Sequence, residues 1–501
     1  MFGNKPEHWD KISGLQLHYR IFFNFAMNRT VTAFLAALVI ILSGQPGMLS
    51  AQDLPGPLEK QIKRFNLSRN SLSLEVREMD SGRTVLSMNG NRPRNPASVI
   101  KILTSLSALE MLGPHFLWQT KYYLDGNLRD GVLNGDLVIA GSGDPFVTVD
   151  RFWHQVNNLR QRGIHTITGD LVIDNSLFQV PPHDPSAFDN RPSRLYNVGP
   201  DAAIINFSAT RFVIQPVNGK IQIFADPPMA GLEIKNTVSG ADGKCQNRNA
   251  GWKYGIEHKQ GKIIASFSGT YRKRCGQHSI SRAVTSNPDY TWRLFKYLWE
   301  QHGGTIQGQY RIGQVPESAL ELFTYPSEPL ADIVTSINKY SNNVMSRNLF
   351  LTLDAQVENQ PATIEGARAQ LLRWLTVSGI PTEGLYVDNG SGLSRETRVT
   401  GSTLSAILAH AWKSNYRPEF LSSLSLSALD GTMRKRLKDS GLQGRARIKT
   451  GLLNGVRSMA GYVHARSGKH YSVVLMIESG QVTYSIGNEI QDALLQWIYG
   501  L

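Results

Sequence analysis

Ser98 and Lys101 stand three residues apart in the stretch RPRNPASVIKILTSLSALEML (92–112), where a polar, proline-punctuated approach runs into a mostly apolar helix. At that spacing both side chains share one helix face. A helix N-terminus also presents free backbone N–H groups and a positive dipole end. A serine hydroxyl in such a place attacks a carbonyl carbon if a neighbour takes its proton, and a lysine does so only when uncharged. Its free pKa is about 10.4, so burial and nearby cations have to lower it. A shift of roughly 3 units costs about 4 kcal/mol at ~1.36 kcal/mol per unit. That is a large fraction of a domain's stability, and it argues for a function.

The pair alone is weak, because a serine that caps the helix and a lysine that snorkels to solvent give the same pattern. Ser336-Ile337-Asn338-Lys339 repeats it. Two further elements add weight. Ser341-Asn342-Asn343 falls in a turn expected between helices at 328–338 and 343–354, where Ser341 can relay a proton and Asn343 can hold the lysine and a substrate amide. Ser-x-Asn also begins at Ser68, Ser87, Ser336 and Ser346, so its place between helices is what distinguishes it. Lys449-Thr450-Gly451 occurs once, near the end of the strand-like run RARIKTG. A strand edge offers backbone groups to an extended peptide. Lys449 there supplies positive charge, Thr450 a hydroxyl and Gly451 room for close approach.

The elements that must position these residues follow from pattern. Residues 57–65 read as a short helix, and 72–79 and 83–88 as a hairpin around Asp80-Ser81-Gly82. The helix carrying Lys101 stops at Gly113-Pro114. From 115 to 310 short strand-like runs recur at 117–124, 136–140, 169–174, 210–215, 220–224 and 262–268. Helical signal nearly vanishes over 208–285. Helical periodicity returns at 288–302 and 328–338, then at 343–354, 363–377, 400–413 and 430–438. Strands follow at 445–450, 457–465 and 470–477. A terminal helix at 488–499 places Ile490, Ala493, Leu494, Trp497 and Ile498 on one core-facing side. Helices on an antiparallel sheet, both chain ends in one domain and a large excursion between them make an α+β plan.

Composition bounds the rest. The 501 residues exceed one simple core, and 41% hydrophobic with 19% charged content is that of a globular protein. The net charge of +13 suits anionic partners, including an acidic polymer of the cell envelope. No nucleic-acid-binding signature accompanies it. The segment from Met27 has Arg29, then a mostly apolar run Val31–Leu42, then the small residues Ser50 and Ala51. It reads as a secretory signal peptide ending at 51, with Met27 as the true start and an uncleaved anchor as the competing reading. Export makes a disulfide between the only cysteines, Cys245 and Cys275, the favoured reading over two unrelated thiols. No HExxH, no Cys/His ligand cluster and no G-x-S-x-G occurs, so neither a metal, a cofactor nor an α/β-hydrolase elbow is expected.

S-x-x-K, S-x-N and K-T-G in that order form the serine penicillin-recognising signature. The chain resembles the low-molecular-mass class C penicillin-binding proteins, the D-alanyl-D-alanine carboxypeptidase/endopeptidase family. AGSGDP (140–145), GDLVIDNSLF (169–178), DNGSGLSR (388–395) and LDGTMRKRL (429–437) extend the likeness over nearly the whole mature chain. The resemblance implies a discontinuous peptidase domain of 52–115 and 310–501. It implies an insertion of 116–309 with a nested β module about 208–285. It makes Ser98 the acyl-ester nucleophile, Lys101 its proton acceptor, and Ser341 and Asn343 the second wall. Lys449 and Thr450 would grip the substrate carboxylate, and backbone N–H groups of Ser98 and Leu452 would form the oxyanion hole. Arg395 and Asp174 match substrate-facing positions. One departure stands out: relatives often carry Thr or Ser after K-T-G, where this chain has Leu452. The implied partners are peptidoglycan peptides and β-lactams, in the periplasm, with peripheral membrane contact left open and no nucleic acid. A β-lactamase or D-peptide esterase of the same fold and a non-catalytic peptidoglycan-binding envelope protein remain the alternatives. The oligomeric state is not legible.

Overall fold

The protein is described by a computed structural model covering residues 54–358 and 360–501. The export signal read at 1–51 lies outside the described residues.

A six-stranded antiparallel sheet takes strands from both halves of the chain, in the order Ser425–Leu426, Ala446–Leu453, Val456–His464, His470–Glu478, Leu72–Glu78 and Thr84–Met88. Its central strands are buried on both faces, and the period of two sorts their side chains into two cores. Val473, Leu475 and Met459 join Leu58 and Ile62 of the helix Gly56–Arg64 and Ile490, Leu494 and Ile498 of the helix Tyr484–Tyr499. Val474, Met476 and Ala460 face the other way, onto Ile102 and Leu106. The terminal helix thus lies against the sheet as its apolar stripe requires. Among the described residues no helix is long and apolar enough to cross a membrane.

The helix Lys101–Leu112 is the centre of the second layer. Every residue from Lys101 to Leu109 is buried, because the helices Leu330–Tyr340, Asn343–Glu358 and Ile364–Val377 pack around it. A single 3₁₀ turn, Ala97–Ile100, precedes it and carries Ser98. It ends at Gly113 (φ 83°), the left-handed position that favours glycine, just before Pro114.

The excursion builds a seven-stranded mixed sheet, in which Gln119–Arg129 pairs with Val132–Ala140 on one side and Leu320–Pro326 on the other. That sheet therefore takes in residues up to Pro326. Two three-stranded sheets follow within residues 210–282. Cys245 and Cys275 are bonded, as export predicts, with Cα atoms 4.9 Å apart.

Two sequence expectations need correction. A helix, Val149–Gln161, lies in the span read as short strands. Its apolar stripe is only Phe152, Val156 and Leu159, diluted by polar residues that face solvent. Conversely, 430–438 is no helix: Gly431–Met433 is a 3₁₀ turn, and Gly431 (φ 53°) and Leu437 (φ 62°) both adopt left-handed backbone. At Gly431 a Cβ would stand 2.3 Å from Ser425 Oγ, so the chain turns tightly here against the sheet's first strand.

The disulfide closes a loop across a sequence separation of 30. Loop-closure entropy for that length is about 3–4 kcal/mol. Cys275→Ser is expected to speed amide exchange in the strands Leu232–Ala241 and Lys262–Arg272, read by hydrogen-exchange mass spectrometry. The chemistry at Ser98 is expected to keep its rate.

Candidate active site

Residues distant in sequence meet at one cleft of about 550 Å³, lined by Ser98, Ser341, Asn343, Thr450, Gly451 and Leu452 among others. The buried Lys101 stands behind Ser98. Its Nζ lies 3.2 Å from Ser98 Oγ and 2.8 Å from Asn343 Oδ1, and it also donates to the carbonyl of Ser391. The last two partners are acceptors only. In the uncharged amine they take its two N–H bonds and leave the lone pair to the Ser98 hydroxyl. Asn343 is oriented by the same logic, since its Nδ2 donates to the Tyr196 carbonyl at 3.2 Å.

Lys101 is fully buried, and its pKa is held well below the usual ammonium range by burial first and then by the cations of Lys449 and Arg347. Burial also pulls Lys449 down, to about 7. Lys449 Nζ donates to Ser341 Oγ and to the Thr450 carbonyl, both at 2.9 Å. Burial and the two cations thus favour the uncharged form of Lys101, the form able to accept a proton, while Lys449 carries its charge below about pH 7. Ser341 adopts left-handed backbone (φ 57°) at the end of the helix Leu330–Tyr340.

Steric constraints fix how closely these parts approach. The residue before Ser98, Ala97, has φ 45°, and its N–H donates to Asn95 Oδ1 at 2.9 Å. Ser458 Oγ donates to the Pro96 carbonyl at 2.5 Å. A Cβ on Gly451 would stand 2.1 Å from Ser458 Oγ and 2.7 Å from the Pro96 carbonyl oxygen. Only glycine lets the strand Ala446–Leu453 run this close to the Ser98 turn. That strand's neighbour, Ser425–Leu426, pairs only with Arg447 and Ile448. Beyond Ile448 the edge has no further ladder partner on that side among the described residues. Leu452, 51% exposed, lies on this stretch and presents an apolar side chain where a hydroxyl would have been polar.

The segment 388–395 supplies the carbonyl that holds Lys101. Asn389 Oδ1 accepts from the Ser391 N–H and hydroxyl at 3.1 and 2.7 Å, and Gly390's carbonyl accepts the hydroxyls of Thr104 and Ser346, each at 2.9 Å. Arg395, from the same segment, is exposed. Its guanidinium lies 4.7 Å from the Phe188 ring centroid, and it is Phe188, not Arg395, that lines the cleft. Asp174 also stays out of the cleft lining. It ends the strand Leu171–Asp174, and its carboxylate accepts the N–H groups of Ser176 and Val315 at 3.0 and 2.9 Å. The second Ser-x-x-Lys match is structural, since Lys339 pairs with Asp430.

Sequence reasoning missed the segment from 175 to 209, which holds only two 3₁₀ turns and brings Phe188, Asp189 and Tyr196 to the cleft. Asp189 is held by the Tyr196 hydroxyl and Asn197 Nδ2, both at 2.7 Å. Arg347, buried under the segment, donates to the carbonyls of Val198 and Tyr196. The available signal was length, because ordered loops this long are usually functional. Among the described residues no cluster could hold a metal ion.

The sequence model of the D-Ala-D-Ala carboxypeptidase 3 (S13) family matches residues 54–500. The chain belongs to this family. Membership makes it a serine-type carboxypeptidase, a hydrolase. It is 24% identical to the D-alanyl-D-alanine carboxypeptidase DacB of Haemophilus influenzae over 421 residues, 82% of this chain and 85% of that one. It is 24% identical to the D-alanyl-D-alanine carboxypeptidase of an Actinomadura species over 438 residues, 83% of this chain and 80% of that one. The crystal structure of penicillin binding protein 4 from Haemophilus influenzae superposes with a TM-score of 0.74 at 22% identity, covering 89% of this chain and 100% of that one. A second structure of that protein, in complex with a β-lactam, superposes with a TM-score of 0.68 at 22% identity, covering 86% of this chain and 96% of that one. The S13 fold, α+β with its large insertion, is thus shared.

Two outcomes are expected at this site. Gly392 (φ 77°) has no room for a side chain, since a Cβ would stand 2.0 Å from the Ala97 carbonyl oxygen. Gly392→Ala is expected to slow acylation by about 100-fold or more, measured by stopped-flow with a chromogenic cephalosporin, because a displacement near 1 Å is enough. The second concerns pH. The rate of acylation should climb as Lys101 loses its proton and fall above about pH 7 as Lys449 becomes neutral. Lys449→Arg is expected to remove the falling limb; a limb unchanged in that variant would show that another group causes it.

Proposed function

We propose that Ser98 is the nucleophile of a D-alanyl-D-alanine carboxypeptidase acting on peptidoglycan stem peptides, and that the same centre cleaves D-Ala to diamino-acid crosslinks as a D,D-endopeptidase. One observation carries this reading: the lone pair of a buried, doubly held Lys101 amine is left for Ser98 Oγ at 3.2 Å.

In the first half-reaction Ser98 Oγ bonds to the carbonyl carbon of the penultimate D-Ala and its proton passes to Lys101 Nζ. The tetrahedral oxyanion is held by backbone N–H groups of Ser98 and Leu452, donors worth about 3–4 kcal/mol in comparable sites. The C–N bond then breaks, and the amine of the departing residue takes the proton by way of Ser341, which bridges toward Lys449. Lys449 and Thr450 bind the carboxylate. Water, activated by the same Lys101, cleaves the ester and restores the hydroxyl. β-Lactams enter as mimics of the D-Ala-D-Ala end, in line with the β-lactam complex of the Haemophilus influenzae protein. Asn343, whose amide bridges Lys101 and the 175–209 segment, is assigned to orienting the base and the peptide. Arg395 is assigned to supporting the Phe188 wall, and Asp174 to the segment's root, where Ser176 begins it. The export signal read in the sequence at 1–51 supports a periplasmic location, where peptidoglycan peptides lie.

Intact-mass measurement after incubation with benzylpenicillin tests the reading. The mature protein is expected to gain one penicilloyl group, Ser98→Ala none, and Lys101→Met to acylate about 10³-fold more slowly or worse, the scale of a lost general base. Equal labelling of the wild type and Ser98→Ala would remove Ser98 from the mechanism. Rapid turnover of the adduct would favour the β-lactamase alternative, and release of D-alanine from a D-Ala-D-Ala peptide would favour the peptidase.

A further inference from the structure

The cleft continues past Gly451, over the open edge of the strand Ala446–Leu453, to the face of the sheet where the helix Tyr484–Tyr499 packs. Arg457 lies there, directly across the ladder from Leu452. Its residue exposure is 5%, and it lines the cleft. The side chain is pressed onto the helix at Gly487, where a Cβ would stand 2.2 Å from Arg457 Cγ. Nε donates to the Thr483 carbonyl at 3.0 Å, and the guanidinium carbon is 5.2 Å from the Tyr484 ring centroid. Those contacts fix its position and leave its terminal nitrogens unused. Nη1 is buried with no hydrogen-bond partner, and among the described residues Arg457 has no carboxylate partner. The neighbouring Arg436 differs: Asp492, Gln491 and the Asn488 carbonyl occupy it.

A buried guanidinium with no counterion is unfavourable, and proteins normally pair or hydrogen-bond such a group. Here the residue that carries the unmet donor lines the cleft. A substrate lying along the open edge places the amine of its departing residue near Ser98 and Ser341. The carboxylate of that residue is then carried past Thr450, toward Leu452, where the resemblance to the family leads one to expect a hydroxyl. We propose that Arg457 binds the free α-carboxylate of the departing residue and supplies, by charge-assisted hydrogen bonding, the grip that the Leu452 side chain cannot. A terminal D-alanine and the D-centre of a crosslinking diamino acid both carry such a carboxylate next to the leaving amine, so one subsite serves both reactions. The proposal rests on Ser98 being the nucleophile.

The test compares two peptides with the same acyl half, one ending in D-Ala-D-Ala and one in D-Ala-D-alaninamide, using wild type, Arg457→Gln and Arg457→Lys. Wild type is expected to prefer the free acid in kcat/KM. In Arg457→Gln that preference is expected to shrink by about tenfold or more, the scale of one charge-assisted bond, with Arg457→Lys between the two. The acid-to-amide ratio is taken within one preparation, so a lowered folded fraction cancels. Should Arg457→Gln fail to fold, Arg457→Lys carries the comparison, with a ratio at least threefold below wild type supporting the subsite. An unchanged ratio in an active variant overturns the subsite and leaves Ser98 untouched. A wild type that cleaves neither peptide and takes no penicillin on Ser98 overturns the nucleophile and the subsite together.

Discussion

The arrangement depends on keeping one amine uncharged in a place where it cannot leave. Lys101 is buried at the start of a helix that is itself buried, with Asn343 and Ser391 oxygens on two of its bonds and a serine hydroxyl on the third direction. Two nearby cations, Lys449 and Arg347, reinforce what burial begins. These groups come from several elements, with Asn343 and Arg347 sharing the helix Asn343–Glu358. The α-helical layer, the 388–395 turn and the edge strand must all be in register before the base exists.

That register is maintained against a stability cost. Lys449 has a folded pKa of about 7 against an ordinary 10.5, a difference of about 5 kcal/mol at ~1.36 kcal/mol per unit. Between those two pH values the unfolded chain holds a proton that the folded chain has released, so stability from this group rises with pH through the window. The penalty is fully present below about pH 7 and gone above about 10.5. The two hydrophobic cores on either face of the six-stranded sheet are what offset it. The cleft thus draws on the packing of Leu475 on one face and Met476 on the other as much as on its own lining.

The sequence singled out Ser98, Lys101, Ser341, Asn343 and Lys449 by residue type and offset, and the structure brings them together around one cleft. It also showed the helices whose apolar stripes are strong. Val149–Gln161 was hidden because its buried face has only three apolar residues beside the polar Gln155, and 430–438 misled because Met433 and Leu437 stand at helical spacing around turns with positive φ. The wall of Phe188, Asp189 and Tyr196 has no period at all. Its position is set by where Arg347 and Asn343 catch the carbonyls of Tyr196 and Val198. Arg395 and Asp174 show the limit of motif matching, since both lie near the right segment while their side chains serve its support.

The unpaired edge beyond Ile448 has a further consequence. Soluble sheets ordinarily blunt such edges, since a bare row of amide and carbonyl groups invites a second copy to add on. Here the edge stays bare beside the cleft, with the apolar Leu452 exposed on it. The 175–209 segment lines the same cleft through Phe188, Asp189 and Tyr196, so a strand adding to this edge would also have to pass those side chains.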